Sequence, residues 1–124
     1  MDATETARAV AQAVDTEAPR EQRACRAAEI IRTARGFRWV GIYDVGDDEI
    51  ALIGCAGTAA PAHPRFPISQ ATIVRDSEAI VPILGAESGI VIGTLGAERD
   101  RSAVHDDDVA FLEECASVLR PLYD

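Results

Sequence analysis

The side chains best suited to covalent or metal chemistry are three cysteines and two histidines: Cys25, Cys55, Cys115, His63 and His105. Thiolates are the usual redox nucleophiles, and cysteine with histidine is the usual ligand set for zinc. No CxxC and no Cys/His pair at metal-ligand spacing occurs, so the pattern predicts neither a zinc site nor thioredoxin-like chemistry. Because free cysteine is among the most buried residue types, we expect each cysteine to pack as a small apolar side chain.

Two carboxylates stand at the ends of the most apolar stretch of the chain. Glu78 precedes residues 79–84, and Glu98 follows residues 90–97; both runs are rich in isoleucine and valine and are joined by a glycine-bounded loop. Such runs predict a β-hairpin. Carboxylates at strand ends are usually solvated, but a pair beside a buried sheet is also typical of ligand-binding sites. The residues alone leave both alternatives open.

Trp39 and Tyr43 are the aromatic candidates for a binding site. They lie in residues 37–45, FRWVGIYDV, which predict a strand. Alternation along a strand places both aromatic rings on one face and Val40 and Ile42 on the other. Aromatic side chains of this kind are more often core residues than ligand contacts.

Hydrophobic periodicity and turn residues predict the elements that position these groups. Helices are expected over residues 3–14 and from a Thr16 cap to about residue 34, with Gly36 as the stop. Further strands are expected over 49–56, 71–75, 79–84 and 90–97, and a last helix over 106–120. Antiparallel hairpins with helices on one face predict an α+β, two-layer architecture. We expect one domain over residues 1–124, with the N-terminal helices in 1–35 and the sheet in 37–98.

Charge and composition narrow the class of partner. The net charge of −9 disfavours nucleic acid and anionic membranes, because both require a basic surface. No apolar run approaches the ~18 residues that would span a bilayer, and the acidic start MDATETA is unlike a signal peptide. Phosphate-binding and dinucleotide-binding glycine patterns are missing. We therefore expect a cytoplasmic protein without a cofactor.

The last helix carries two adjacent apolar stripes, although one contact with a sheet needs only one. This excess predicts a second partner, which is either the N-terminal helix or another subunit. We expect a homodimer built from the first and last helices. Its candidate contacts are Ala7, Val10, Phe111 and Val118.

Several motifs together resemble a GAF domain, most closely a shortened form of the free methionine-(R)-sulfoxide reductase branch. WVGIYDV, ALIG, PAHPRFPI, SEAIVPI and GIVIGTLGAE are similar to the W-x-G-F-Y, L-V-L-G, P-A-C-x-R-I, S-E-I-V-V-P-I and G-x-V-I-G-V-L-D-I-D segments of that branch. The resemblance implies an antiparallel GAF sheet with N- and C-terminal helices on one face. It also implies that Trp39, Tyr43 and Glu78 are ligand-pocket residues, with Glu98 at the second aspartate of L-D-I-D.

The sequence also departs from that branch. Gly96 replaces the first aspartate of L-D-I-D, His63 stands in place of the P-A-C cysteine, and the segment with the G-V-C-G and H-I-A-C-D motifs is missing. We therefore predict a non-catalytic GAF-like regulatory module that binds a small polar ligand and dimerises. The alternatives are a divergent sulfoxide reductase using Cys55 or His63, and a purely structural dimerisation module without a pocket. The proline-rich residues 57–70 are expected to cover the sheet face that carries Trp39 and Tyr43.

Overall fold

The computed structural model describes residues 2–46, 50–57, 70–85, 89–100 and 102–123. The elements in chain order are α1 (Ala3–Val14), α2 (Arg20–Arg35), β1 (Trp39–Val45), β2 (Ile50–Gly57), β3 (Ile73–Arg75), β4 (Glu78–Leu84), β5 (Val91–Glu98), α3 (Asp106–Ser117) and a 3₁₀ helix (Arg120–Tyr123). Every predicted helix and strand is present, and the α+β class is confirmed. The connection between the first two predicted strands and the proline-rich cover lie largely outside the described residues.

One antiparallel sheet of five strands organises the chain, in the order β2-β1-β5-β4-β3. The two local hairpins, β1 with β2 and β4 with β5, therefore meet through β1 and β5 at the centre of the sheet. This order brings the start of β1 beside the end of β5, with Trp39 directly opposite Glu98.

The helices cover one face of the sheet and form the hydrophobic core with it. α2 rests on β1 and β2, α3 rests on β4 and β5, and α1 packs against both α2 and α3. Val40 and Ile42 face this core as the alternation predicted, and each is fully buried. α2 approaches β2 closely at Gly54, where a methyl group would lie 2.7 Å from the backbone nitrogen of Cys25.

α1 supplies the second partner that the apolar excess of α3 required. Asp2 caps α1 by accepting a hydrogen bond from the backbone N–H of Glu5 at 2.8 Å, which is the usual role of aspartate at this position. The predicted dimer contacts Ala7, Val10 and Phe111 are 7%, 0% and 2% exposed within this single chain. Those three residues therefore pack inside the protomer, and their assignment to a subunit interface is wrong.

Only the N-terminal end of α2 differs from the prediction. Its N-cap is Pro19 and not Thr16, and Pro19 makes no side-chain cap. Arg23 instead secures the preceding turn, because its guanidinium donates to the carbonyl oxygens of Val14 and Ala18, both at 2.9 Å. Gly36 ends α2 as predicted, with φ +69°, a left-handed conformation that glycine adopts at little cost.

Asp108 in the first turn of α3 joins the helices to the sheet. Its carboxylate accepts from the Arg99 guanidinium at 2.6 and 2.8 Å and forms an ion pair with Arg35 at 3.0 Å. The side chain is only 1% exposed. The hydrogen bonds from Arg99 and from the backbone N–H of His105, with the charges of both arginines, lower the pKa of Asp108 to about 2 despite its burial. Asp108 also accepts from the backbone N–H of His105 at 3.1 Å as half of a capping box, so one carboxylate both caps α3 and binds the two arginines.

The chain beyond α3 is not regular α-helix. α3 ends at Ser117, earlier than the predicted end at residue 120, and Arg120–Tyr123 forms the 3₁₀ helix. Leu122 in this segment is buried in the core. The C-terminal segment is thereby held against the helix face of the sheet.

Candidate functional site

The four predicted binding residues lie together on the sheet face opposite the helices. Trp39 on β1 is opposite Glu98 on β5, and Glu98 is opposite Glu78 on β4. Directly opposed residues of antiparallel strands project to the same face, with Cβ atoms ~4.5–5.5 Å apart. Tyr43 is on that face because it lies two alternations beyond Trp39. We call these four residues the acidic-aromatic face.

Gly41 allows the two aromatic side chains of this face to meet. A methyl group at Gly41 would lie 3.0 Å from the Tyr43 hydroxyl and 3.1 Å from the Trp39 Nε1 atom. The Trp39 indole nitrogen and the Tyr43 hydroxyl lie beside each other above Gly41, and the indole N–H lowers the pKa of the phenol. Gly96, opposite Gly41 on β5, also carries no side chain, so the backbone of both central strands is bare beneath the rings. Each ring is only 5% exposed.

Electrostatics link Tyr43 to both carboxylates. Burial raises the pKa of the Tyr43 phenol; the indole N–H of Trp39 partly opposes this shift, and charge at Cys55, Glu78 and Glu98 adds to it. Tyr43 therefore stays protonated at neutral pH and retains a hydroxyl proton that it can donate. The same causes show that the phenol oxygen lies within the field of the two glutamates.

Glu78 and Glu98 form a like-charged pair on adjacent strands, which is destabilising unless something neutralises it. Arg75 lies opposite Glu78 on β3, on the side away from Glu98. Arg99 follows Glu98 directly but is bound to Asp108. Within the described part of the chain, the Glu98 Oε2 atom is buried and has no hydrogen-bond partner. A buried acceptor of this kind is costly unless a donor reaches it.

This arrangement can bind a small cationic group. An ammonium ion supplies three donors and a positive charge for opposed carboxylates. Trp39 and Tyr43 border this pair, but each residue is only 5% exposed, so a cation would be held mainly by the carboxylates. The chemistry of the acidic-aromatic face therefore favours a ligand that carries a protonated amine.

Three further residues lie on this face, of which Thr94 and Ile80 were not singled out from the sequence and Cys55 was named only as a candidate nucleophile. Thr94 lies opposite Tyr43 and is 3% exposed, Ile80 is buried opposite Gly96, and Cys55 lies opposite Gly41. The sequence was sufficient to place Thr94 on this face, because Thr94, Gly96 and Glu98 alternate along one strand and therefore project to the same side. Cys55 and Ile80 required the register between strands, which the sequence does not specify.

The cysteines have different environments from those predicted. Cys115 is buried as expected, and burial with the neighbouring Glu114 charge raises its pKa to about 12. Cys55 is half-buried, and its pKa is raised by burial and by the nearby Cys25. Cys25 is exposed, which corrects the prediction; it lies beside the buried stripe of α2 that begins at Ala24. Raised pKa values lower the thiolate fraction on which nucleophilicity depends.

The described ranges also bear on metal binding and on membrane insertion. No group of three or more His, Cys, Asp or Glu residues there is placed to hold a metal ion. No helix in those ranges is long and apolar enough to cross a bilayer. His63 lies outside the described residues.

Comparison with known proteins gives structural matches only. No protein-family model matches the chain, and no curated protein sequence does. Free methionine-R-sulfoxide reductase from Neisseria meningitidis, solved with its substrate, superposes with a TM-score of 0.77 at 23% identity, covering 98% of this chain and 87% of that one. A protein from Burkholderia vietnamiensis described as a GAF sensor matches with a TM-score of 0.75 at 21% identity over 100% of both chains. The chain has the GAF fold.

A third match shows how far the GAF fold extends without sequence similarity. The GAF domain of an Acinetobacter phosphoenolpyruvate-protein phosphotransferase has a TM-score of 0.71 at 10% identity, covering 96% of this chain and 90% of that one. The predicted resemblance to GAF domains, including the sulfoxide reductase branch, is confirmed for the fold. Because one fold carries many functions, the activity must be argued from the acidic-aromatic face.

Proposed function

We propose that this protein is a non-catalytic regulatory module with a GAF fold that binds a small polar ligand on its acidic-aromatic face. The ligand carries a protonated amine that is held between Glu78 and Glu98. The observation that carries the proposal is the opposed pair of carboxylates, in which the Glu98 Oε2 atom is buried and lacks a hydrogen-bond partner among the described residues. A cationic ligand supplies a donor to that atom and a charge opposite to that of the carboxylates.

The aromatic pair supports the same ligand class. The Trp39 indole and the Tyr43 hydroxyl pack against each other above Gly41, so the face is ordered before a ligand arrives. Preorganisation of this kind reduces the entropic cost of binding. Both rings are buried, which favours a ligand no larger than a free amino acid.

The first prediction is that L-methionine-(R)-sulfoxide raises the melting temperature of the protein and that its N-acetyl derivative does not. The acetyl group removes the positive charge and leaves the rest of the molecule intact. At a ligand concentration of 100 times Kd, binding adds about 2.7 kcal/mol to the free energy of unfolding. Differential scanning fluorimetry with both compounds, and with free methionine, measures the effect.

Variants decide whether the acidic-aromatic face is responsible. Glu98→Gln and Glu78→Ala should each abolish the stabilisation, whereas Glu21→Gln, at an exposed glutamate on α2, should retain it. Stabilisation that survives both changes would place the ligand elsewhere. No stabilisation of the unaltered protein by any amine tested would favour the purely structural module.

The reductase alternative is tested in the same samples. It rests on Cys55, which lies on the acidic-aromatic face opposite Gly41, but the raised pKa of this thiol opposes nucleophilic attack. Sulfoxide reduction also needs a second thiol to release the enzyme as a disulfide. We expect no turnover of L-methionine-(R)-sulfoxide with a dithiol reductant. Turnover that Cys55→Ser or Cys25→Ser removes would establish the reductase.

The second prediction concerns assembly. We infer that the module forms a homodimer through the outer surface of α1 and α2, since the earlier candidate contacts are buried in the protomer. A groove of about 600 Å³ runs between these helices and is lined by Ala9, Ala13, Gln22 and Ile30 among others. Alanines there allow helices of two copies to approach closely. Sedimentation equilibrium should show a dimer, and Ala9→Arg should yield the monomer without unfolding it. A monomer at all concentrations of unaltered protein refutes the dimer.

A further inference from the structure

Tyr123, in the C-terminal 3₁₀ helix, contacts the acidic-aromatic face from the opposite side of the sheet. Its hydroxyl donates a hydrogen bond of 2.7 Å to the backbone carbonyl oxygen of Tyr43. The side chain of Tyr43 projects to the acidic-aromatic face, whereas Tyr123 approaches from the helix side. The two tyrosines are thus joined through one backbone position of β1.

Gly93 makes this approach possible. Gly93 on β5 lies opposite Asp44 and Ile83. A side chain at this position would project toward the helices. A methyl group at Gly93 would overlap the hydroxyl and ring of Tyr123. Because Gly93 has no side chain, the Tyr123 ring can occupy the space above this strand position.

The contact falls where the sheet is irregular. The pairing of β1 with β2 shifts between Ile42 and Tyr43, because Ile53 is an extra residue on β2. A bulge disrupts the ladder locally and changes the direction of side chains beside it. The pairing of β1 with β5 stays regular at Tyr43, so the hydrogen bond from Tyr123 acts at a step of β1 that is irregular on its β2 side alone.

Neighbouring groups hold Tyr123 in this position. The Arg20 guanidinium lies 5.4 Å from the centre of the Tyr123 ring and pairs with Asp44 at 2.9 Å. Burial and the Asp44 charge raise the pKa of the Tyr123 phenol, with Arg20 opposing, so the hydroxyl keeps its proton as a donor. Leu122 beside it is buried in the core.

We propose that Tyr123 is a positioning residue for the acidic-aromatic face. Its hydroxyl sets the backbone of Tyr43 and thereby the contact between Tyr43 and Trp39 on the other side of the sheet. The C-terminal 3₁₀ helix and the binding face are thus coupled through a single hydrogen bond. The part of this proposal that concerns ligand affinity rests on the proposed function; the part that concerns the aromatic pair does not.

The test is Tyr123→Phe, which removes the hydroxyl and keeps the ring over Gly93. Trp39 is the only tryptophan of the chain, so its indole N–H signal in NMR spectra reports directly on the pair. Tyr43→Phe, which removes the hydroxyl beside that N–H, provides the reference displacement. We expect Tyr123→Phe to move the signal in the same direction and to weaken binding of L-methionine-(R)-sulfoxide about twofold to tenfold, the range that one hydrogen bond accounts for.

Ile31→Val is the matched control, because it trims a buried core residue on α2, outside the Tyr123–Tyr43 hydrogen bond, and lowers thermal stability by a comparable amount. It should leave the indole signal and the affinity unchanged. An indole signal in Tyr123→Phe that coincides with that of the unaltered protein overturns the proposal, as does an equal displacement in Ile31→Val. If L-methionine-(R)-sulfoxide fails to bind the unaltered protein, the proposed ligand is wrong, and the indole signal still decides the role of Tyr123.

Discussion

Replacing Asp108 with asparagine is expected to lower the free energy of unfolding by about 3 kcal/mol at neutral pH. Removing one partner of a buried ion pair typically costs about 3–5 kcal/mol, because the other charge is left uncompensated. The lower end applies because Arg99 and Arg35 keep side-chain exposures of 20% and 33%. Asparagine preserves the shape of the site, so the loss reports charge and hydrogen bonding. Urea denaturation measures it.

The contribution of Asp108 to the free energy of unfolding depends on pH, and the direction of its pKa shift determines whether it rises or falls. The pKa of Asp108 falls from 3.8 to about 2 on folding, and each unit corresponds to about 1.36 kcal/mol. A depressed carboxyl pKa gives stability that is complete above the unfolded pKa, near 4, and is lost as pH falls through about 2. The difference in stability between the unaltered protein and Asp108→Asn should therefore shrink between pH 4 and pH 2.

Asp107→Asn is the control, because Asp107 lies in the same helix turn but is exposed. Its interaction with the helix dipole is worth only about 0.3–1 kcal/mol. Equal losses in the two variants would mean that the dipole explains all of the acidic turn and that the arginine pair contributes nothing.

Phe111→Ala is expected to destabilise the single chain by about 3–5 kcal/mol, the usual range for truncating a buried phenylalanine. Phe111 is 2% exposed. Its ring centre lies 6.4 Å from that of Phe37, and the Arg35 guanidinium lies 5.2 Å from it. The truncation therefore leaves a cavity beside α2 and removes the aromatic surface under a cation. Denaturant unfolding measures the loss.

The control for Phe111 is Ile90→Ala, at a side chain that is 62% exposed, where the change should stay within about 0.5 kcal/mol. The dependence of this stability loss on protein concentration distinguishes a core residue from an interface residue. A core residue gives the same loss at every protein concentration. A loss confined to concentrations at which a dimer forms would return Phe111 to the subunit interface.

Local patterns of sequence were sufficient for the elements and for part of the binding face. Alternation put Trp39 and Tyr43 on one side of β1, and apolar runs located Glu78 and Glu98 at strand ends. The register that sets Trp39, Glu98 and Glu78 in one row depends on pairing between β1 and β5, which no local pattern encodes. The fold class was predictable because periodicity is a local property.

The misjudged residues owe their roles to distant partners. Asp108 and Asp107 are neighbours in one helix turn, but only Asp108 receives the Arg99 guanidinium, the Arg35 guanidinium and the backbone N–H of His105. Tyr123 finds its acceptor 80 residues away in Tyr43. Thr16 has the side chain of a helix cap, but Pro19 already fixes the backbone angle at which α2 begins. Local propensity identifies the residues that could cap a helix or form a contact, and tertiary contacts determine which of them do so.

The strand order has a consequence for how the protein acquires its binding face. Each hairpin closes a short loop, whereas the pairing of β1 with β5 joins distant parts of the chain and costs more closure entropy. Trp39 and Tyr43 belong to one hairpin, and Glu78 and Glu98 belong to the other. Neither hairpin alone offers an amine both carboxylate and aromatic partners. Under the proposed function, the free energy of ligand binding therefore stabilises the docking of the two hairpins.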